Sequence, residues 1–479
     1  MDTVTAAART RVVARLRAAL GSQGVLEAPA DVEKYLTDFR GLYRGSALLV
    51  ACPRDTTQVS QVLSACHEDA IGVVPHGGNT SYCGGATPSE SGDQVVLSLH
   101  RLNRIRGVDA ANYSMVAEAG CVLADVQSAA LAANRFFPLS LGSEGSCQIG
   151  GNLSTNAGGL AAVRYGVARD LVLGLEVVLA GGEVLHGLSS LRKDNTGYDL
   201  RDLFVGAEGT LGIITAASLK LFPVPRTVET AWLAVPGMQA AVDVLARLRE
   251  ATGDCVTSFE YLPRIAVEFT ARHVPGVVDP FDQPWPACVL CEVSTARHDP
   301  QLRALLESAL EQCMAAGEVL DATIAESLAQ REALWKLRES VPEAQRHEGA
   351  SIKHDVSVPV ASLPGFLERG AAAVARVAPR ARLVAYGHVG DGNLHFNLSE
   401  PEGGREREAF VALQSVINDA VHDCVREFGG SISAEHGIGR LKRDLLPRYK
   451  DPVALATMRA LKRTLDPKGI LNPGKVLPD

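Results

Sequence analysis

Two imidazoles flank an Asp-Gly pair in the run Tyr386-Gly387-His388-Val389-Gly390-Asp391-Gly392-Asn393-Leu394-His395-Phe396-Asn397-Leu398, a spacing suited to gripping a metal ion. Asp-Gly between β-type residues signals a two-residue hairpin of the I′ class. With Asp391 and Gly392 as the loop, His388 pairs with His395. Directly opposed residues on one face have Cβ atoms roughly 4.5–5.5 Å apart, and histidine–metal bonds are about 2 Å, so both rings can reach one ion. Asn397 falls on the same face as His395, while Leu394, Phe396 and Leu398 point toward a core. Further on, Gly429-Gly430 breaks a helix, residues 431–434 read as a strand, and Glu435-His436-Gly437-Ile438-Gly439 follows before a helix expected near Arg440. Glu435 supplies a third, anionic ligand. Two histidines and one carboxylate leave coordination positions open, as a catalytic centre needs. One histidine in a hairpin is more often a satisfied core or surface ring; His388, His395 and Glu435-His436 together, framed by glycines, favour a site. A bound ion acidifies a coordinated hydroxyl, and a neighbouring imidazole can take the proton. His436 is the candidate base, with support of the metal by hydrogen bonding as the alternative.

Four stretches are dense in glycine: Pro75-His76-Gly77-Gly78-Asn79-Thr80-Ser81-Tyr82-Cys83-Gly84-Gly85, Leu141-Gly142-Ser143, Ile149-Gly150-Gly151-Asn152-Leu153-Ser154-Thr155-Asn156-Ala157-Gly158-Gly159, and Gly206-Ala207-Glu208-Gly209-Thr210-Leu211-Gly212. Glycine lets backbone N–H groups approach a pyrophosphate closely. Any one stretch could be a ligand-free turn; four in one domain point to a wrapped dinucleotide. None shows the strand, GxGxxG, helix and later acidic residue of a Rossmann unit, so a different fold must hold the nucleotide.

Over residues 35–479 the chain resembles flavoproteins of the vanillyl-alcohol oxidase / p-cresol methylhydroxylase type, in the branch with an FAD-linked oxidase C-terminal domain. The resemblance lies in P-x-G-G-N-T-S from Pro75, I-G-G-N-x-x-x-N-A-G-G from Ile149, G-x-E-G-T-L-G-I-I-T from Gly206 and I-L-N-P-G-K from Ile470. It implies FAD, with Pro75, His76, Gly77, Gly78, Asn79, Thr80 and Ser81 in the pyrophosphate loop. Gly142, Ser143, Gly151, Ser154, Asn156, Gly159 and Gly166 would lie along the ribityl and adenine parts, and Glu208, Gly209, Gly212 and Ile213 in the loop near the adenosine. Asn472 would approach the flavin from the tail. Members that tether flavin covalently carry His or Cys in these loops; Asn79 after Gly77-Gly78 implies non-covalent FAD, and His76 stands where arginine is common.

G-H-x-G-D-G-N-L-H and A-E-H-G-I-G look like the metal and base motifs of the D-2-hydroxyglutarate and D-lactate dehydrogenase group, matched at His388, His395, Asn397, Glu435 and His436. The implied reaction is hydride loss from the α-carbon of a D-2-hydroxy acid chelated by zinc or another divalent metal. Arg338 and Lys353 resemble the group's substrate-carboxylate residues, joined by Asn397 and His436. Taken alone, an Arg and a Lys near a helix are more often solvated charge. Two cations beside a metal favour a dicarboxylate, so D-2-hydroxyglutarate is preferred over D-lactate or glycolate. Pro342 departs from the hydroxyl residue that some relatives carry four positions after the arginine, and it predicts a kink. Lys193-Asp194-Asn195-Thr196-Gly197-Tyr198 also matches the family and reads as a turn. A metallohydrolase would leave the glycine-rich half without a task. A flavin-using transferase such as alkyl-dihydroxyacetonephosphate synthase, and a non-catalytic flavin scaffold, remain as alternatives; the intact His436 speaks against the scaffold.

Holding these residues takes an α+β chain: an FAD-binding part at 1–225, made of an N-terminal helix and a two-part α+β domain; a substrate and metal domain at 226–435, with an antiparallel sheet flanked by helices; and a helical segment at 436–479 returning to the FAD. Short β-rich runs at 49–53, 71–74, 95–99, 114–118, 171–179 and 211–221 precede Pro223-Val224-Pro225. Helical periodicity at 238–251 and 300–316, with strands near 287–294 and 381–398, follows. Formal charge is −8, from 47 basic and 55 acidic residues, without the basic stripe nucleic acid needs. No run approaches the roughly 20 apolar residues of a membrane span. Arg9, Arg11, Arg15 and Arg17 could mark a transit peptide, but Asp2 and the helical spacing favour an amphipathic helix. Ten scattered cysteines suggest a reducing cytoplasm, and Cys288 and Cys291 sit in an apolar run that reads as core. The resemblance suggests an electron-transfer flavoprotein as acceptor and leaves a homodimer open.

Overall fold

The computed structural model describes residues 5–404 and 407–478, and the chain divides into two compact units. The first comprises Met1–Gly158, Val167–Val224 and Glu435–Asp479; the second comprises Gly159–Gly166 and Pro225–Ala434.

In the first unit the arginine-rich start forms the helix Ala6–Leu20, capped by the Thr5 side chain, which accepts from the Ala8 N–H. Ala8, Val12, Leu16 and Leu20 recur every four residues and are buried. Val12, Leu16 and Leu20 join a core with Val59, Val62 and Leu63 of the helix Thr56–Glu68. Arg11 and Arg15 lie outside that stripe and pair with Asp69 and Glu68. Asp55 caps the second helix by accepting from the Gln58 N–H at 2.9 Å. One sheet runs in the order Val25–Leu26, Leu49–Ala51, Val95–Ser98, Val73–His76, its last three strands parallel. The other is antiparallel, in the order Ile105–Asp109, Ser114–Glu118, Ile213–Lys220, Val172–Val178, Val184–Gly187. The tail returns to the first sheet: the Val73 N–H donates to the Ile470 carbonyl at 2.7 Å and the Asn472 N–H to the Val73 carbonyl at 2.8 Å. Asn472 is thereby fixed beside the strand from which the first glycine-rich loop leaves.

The second unit is an antiparallel sheet in the order Asp321–Ile324, Thr227–Val235, Ala287–Thr295, Val256–Pro263, Arg382–His388, Asn393–Ser399, Ser351–Ile352, with Asp355–Ser357 also paired to Asn393–Ser399. Trp232, Leu262, Leu290 and Val384 from its strands pack against Leu334, Leu337, Val267 and Phe269 from helices. Cys288 and Cys291 are buried free thiols in this sheet, as the apolar run implied. The proline signal also holds: the helix Leu328–Glu339 ends, and a new helix, Val341–His347, starts with Pro342 in its first turn. An N–H is not needed there.

Two expected elements are corrected. Residues 431–434 form no strand; only Ser431 bridges Ser357. No helix starts at Arg440: Gly437 and Gly439 take left-handed φ of 72° and 51°, and helical structure begins with the 3-10 turn Arg443–Leu445, which runs into the single helical turn Leu446–Tyr449.

Candidate active site

The His388–His395 hairpin is built differently from the expected I′ turn. The observed register pairs Tyr386 with His395 and Ala385 with Phe396, two places from the expected His388–His395 pairing. Val389–Asp391 coil into a 3-10 turn closed by left-handed Gly392 at φ 83°, which makes the connection longer than two residues. A shift of two keeps side chains on the same face, whereas a shift of one would have reversed them. His388 is therefore a diagonal neighbour of His395, and the ring centroids lie 5.4 Å apart. Leu394, Phe396 and Leu398 are fully buried on the other face.

A buried carboxylate that the sequence reading missed organises this face. Glu260, from the strand Val256–Pro263, is the direct cross-strand partner of His388. One of its oxygens accepts from His388 Nδ1 and the other from Arg338 Nε, both at 2.7 Å. Burial alone would raise its pKa, but His388 and Arg338 outweigh burial and hold it at about 2. Arg338 is buried in the last turn of Leu328–Glu339, its guanidinium carbon 5.1 Å from the Tyr386 ring centroid. The signal available in the sequence was a lone glutamate inside an apolar strand. Lys353 is exposed. Asn397 donates to Gln345 Oε1 at 3.0 Å and accepts from the His354 N–H at 3.3 Å, so it is tied into this wall. His395 Nδ1 lies 3.8 Å from Asp355, whose other neighbour, Asn393 Nδ2, donates to it at 3.0 Å. Ala434, the last residue of this unit, donates its N–H to the Asp355 carbonyl at 3.2 Å. Glu435 is the next residue along the chain.

In the first unit, the loop carrying Glu435 and His436 is held by Glu208. Its carboxylate accepts from the Ile438 N–H at 2.6 Å and the Gly439 N–H at 2.9 Å, while burial pushes its pKa up to about 7. Each oxygen of Glu208, a residue expected in the FAD loop, thus accepts one backbone N–H. A Cβ at Gly437 would lie 2.7 Å from that carboxylate, so the loop closes on it only with glycine there. The His436 ring centroid lies 4.6 Å from that of Tyr82 in the first glycine-rich loop. Gly212 and Ile213 also face the core: Ile213 is buried, and a Cβ at Gly212 would strike Val177 and Phe204. Asn79 and Asn156 adopt left-handed φ of 54° and 50°, and their side chains bond to the Thr37 carbonyl and the Arg169 N–H. Gly159 and Gly166 belong to the second unit.

The remaining loop positions fit a large polar ligand. Gln148 Oε1 and Asn472 Oδ1 are buried with no hydrogen-bond partner among the described residues. Leaving such atoms unpaired costs about 1–3 kcal/mol each, so they call for a ligand's polar edge. A Cβ on Gly151 would meet nothing within 4 Å, which leaves open space beside its backbone.

His76 ends the strand before the first loop, and burial pushes its pKa down to about 4, with Lys34 and His100 adding smaller repulsion. The ring is neutral at pH 7 in both folded and unfolded chains. As pH falls below about 6.5, the unfolded chain takes the proton first, so stability falls until about pH 4, where the folded form titrates too. At 1.36 kcal/mol per unit the full loss approaches about 3 kcal/mol. Glu208, raised to about 7, titrates with the opposite sign, so the effect is read as a difference: in chemical denaturation of the apoproteins, His76→Phe should lose about 3 kcal/mol less than wild type between pH 6.5 and pH 4, and parallel pH profiles would exclude the His76 contribution.

Comparison with known proteins identifies the family. Residues 224–476 match the family described as FAD linked oxidases, C-terminal domain, and residues 47–187 match the FAD binding domain. The mitochondrial D-2-hydroxyglutarate dehydrogenase of Bos taurus is 41% identical over 461 residues, covering 95% of this chain and 81% of that protein. Its namesake from Arabidopsis thaliana is 38% identical over 461 residues, covering 96% and 80%. The solved structure of p-cresol methylhydroxylase with substrate bound aligns at a TM-score of 0.76 and 16% identity over 99% of this chain and 98% of that one, which shows a shared fold. The expectation of a cytoplasmic chain is withdrawn, because these relatives are named as mitochondrial. Free cysteines report a reducing compartment without saying which. No described helix is long and apolar enough to cross a membrane.

Proposed function

The chain belongs to the FAD-linked oxidases and is an FAD-dependent dehydrogenase, and we propose that it oxidises a D-2-hydroxy acid, D-2-hydroxyglutarate foremost, to the 2-oxo acid. The first unit would carry FAD and the second the substrate wall. The observation that carries the reading is the pairing of His388 and Arg338 with buried Glu260, with the His395 ring 5.4 Å from that of His388. His388, His395 and Glu435 would hold a divalent ion, zinc foremost: the donor set suits it, and the ion would acidify a coordinated hydroxyl. FAD, when bound, accepts the hydride.

The chain's own groups do the rest. His436 would take the hydroxyl proton, because hydride loss leaves a carbonyl and the proton must depart with it. Arg338 and Lys353 would pair with carboxylates, Arg338 through a guanidinium already oriented by Glu260. Asn397, bonded to Gln345, would keep that wall in place. A dicarboxylate has use for two cations, and both named relatives are D-2-hydroxyglutarate dehydrogenases. On the family resemblance, the reduced flavin would pass its electrons to an electron-transfer flavoprotein.

Anaerobic titration of the flavin spectrum with a panel of D- and L-2-hydroxy acids tests this. Bleaching by D-2-hydroxyglutarate at the lowest concentrations is expected. Preference for D-lactate or glycolate would overturn the dicarboxylate reading, and no bleaching by any 2-hydroxy acid would favour a flavin-using transferase.

A further inference from the structure

We infer that Glu260 is a positioning residue that sets the ligating tautomer of His388 and the orientation of Arg338 together, so that one buried carboxylate couples metal binding to substrate binding. The inference rests on the metal reading above. A carboxylate is an acceptor only, and so is each oxygen of Glu260 toward its partner. His388 Nδ1, 2.7 Å from one oxygen, must therefore carry the proton. The neutral ring then has its lone pair on Nε2, the nitrogen that can bind a metal. The other oxygen takes Arg338 Nε–H at 2.7 Å, which fixes the plane of the guanidinium. Cross-strand pairing of Glu260 with His388 places the carboxylate there by register, and near-complete burial of all three groups keeps water from substituting for it.

Glu260→Gln separates this role from space filling. The amide has nearly the same shape, yet it offers one acceptor and one donor group. Arg338 can only donate, so the amide oxygen turns to it and the NH2 faces His388 Nδ1. That nitrogen must then accept, the proton moves to Nε2, and the metal-binding tautomer is lost. Zinc affinity of the FAD-loaded protein, measured by competition with a chromophoric chelator, is expected to fall about 10–100-fold, the usual effect of removing a ligand's supporting partner. Flavin absorbance should stay at full occupancy. KM for D-2-hydroxyglutarate should rise along with the metal loss and remain raised at saturating zinc, because Arg338 is no longer held by a charge.

Glu260→Asp keeps an acceptor-only carboxylate but shortens it, and it should bind zinc more weakly than wild type and more tightly than Glu260→Gln. A residue that only fills space would give the opposite order, since Gln is the closer isostere; that order, or wild-type zinc affinity in Glu260→Gln, overturns the inference. If Glu260→Gln yields no FAD-loaded protein, wild-type zinc affinity in Glu260→Asp overturns it and a measurable weakening supports it. Wild-type protein that binds no zinc would overturn the metal reading and this inference with it. Wild-type zinc binding with an unaffected Glu260→Gln would overturn this inference alone.

Discussion

Replacing His388 with alanine is expected to slow flavin reduction by D-2-hydroxyglutarate by roughly a thousandfold or more while FAD stays bound. A metal acting on a developing alkoxide supplies several kcal/mol, and about 4 kcal/mol corresponds to a factor near 10³. In the proposed metal site, removing one of two neutral ligands would leave His395 and Glu435 to hold the ion, which is too few for a stable open site. Most of the expected flavin-loop residues, Gly159 and Gly166 excepted, lie in the first unit and His388 in the second, so FAD content should not follow the loss. The fold should tolerate the change, because Glu260 keeps Arg338 as a charged partner and is not left alone in the interior. Anaerobic stopped-flow reduction, flavin absorbance and metal analysis together check this. Near wild-type reduction by a variant shown to be free of metal would reject the metal role outright.

Much of the frame that holds His388 was legible because it depends on local periodicity and local turn chemistry. The helix Met238–Ala251 and the strand Ala287–Thr295 follow from apolar spacing alone, and the break at Pro342 follows from a missing N–H. The glycine-rich runs pointed to close backbone approach, and the family match over residues 47–187 shows an FAD-binding domain. The hairpin shows where locality ends. Its Asp-Gly pair marked the turn, but Val389–Asp391 coil into a 3-10 turn that left-handed Gly392 closes, and the register moved by two. Glu260 was invisible for a stronger reason: its partner His388 is 128 residues away, and only sheet order makes them neighbours. The role of the Glu208 side chain as an anchor was equally hidden: a left-handed φ of 51° and burial aim it at the Ile438 and Gly439 N–H groups, 230 and 231 residues later. Residues 431–434 alternate like a strand, yet one bridge is all the pairing that the neighbouring Ser357 provides.

Two glycine substitutions should separate folding from FAD binding in the first unit. Gly78→Ala is expected to disrupt the protein whether or not FAD is present. Its Cβ would lie 2.2 Å from the Ser146 carbonyl oxygen and 2.9 Å from Cys147 Cα, and both are backbone atoms that cannot rotate aside. Overpacking of this kind costs about 1–3 kcal/mol, and a backbone neighbour puts it at the upper end. Gly151→Ala should behave in the opposite way. It lies inside the helix Ile149–Ser154, and its Cβ would meet nothing within 4 Å, so the apoprotein should melt no lower than wild type, with a gain of up to about 1 kcal/mol from the better helix former. The same methyl would occupy space proposed for the cofactor, and a cost of about 2–3 kcal/mol there weakens FAD by roughly 30–150-fold. Thermal melting of the apoproteins and fluorescence titration with FAD measure the two effects. Gly151→Ala protein that binds FAD as tightly as wild type would move the cofactor away from this loop, whereas Gly78→Ala protein with unchanged melting would show that the Ser146 backbone yields.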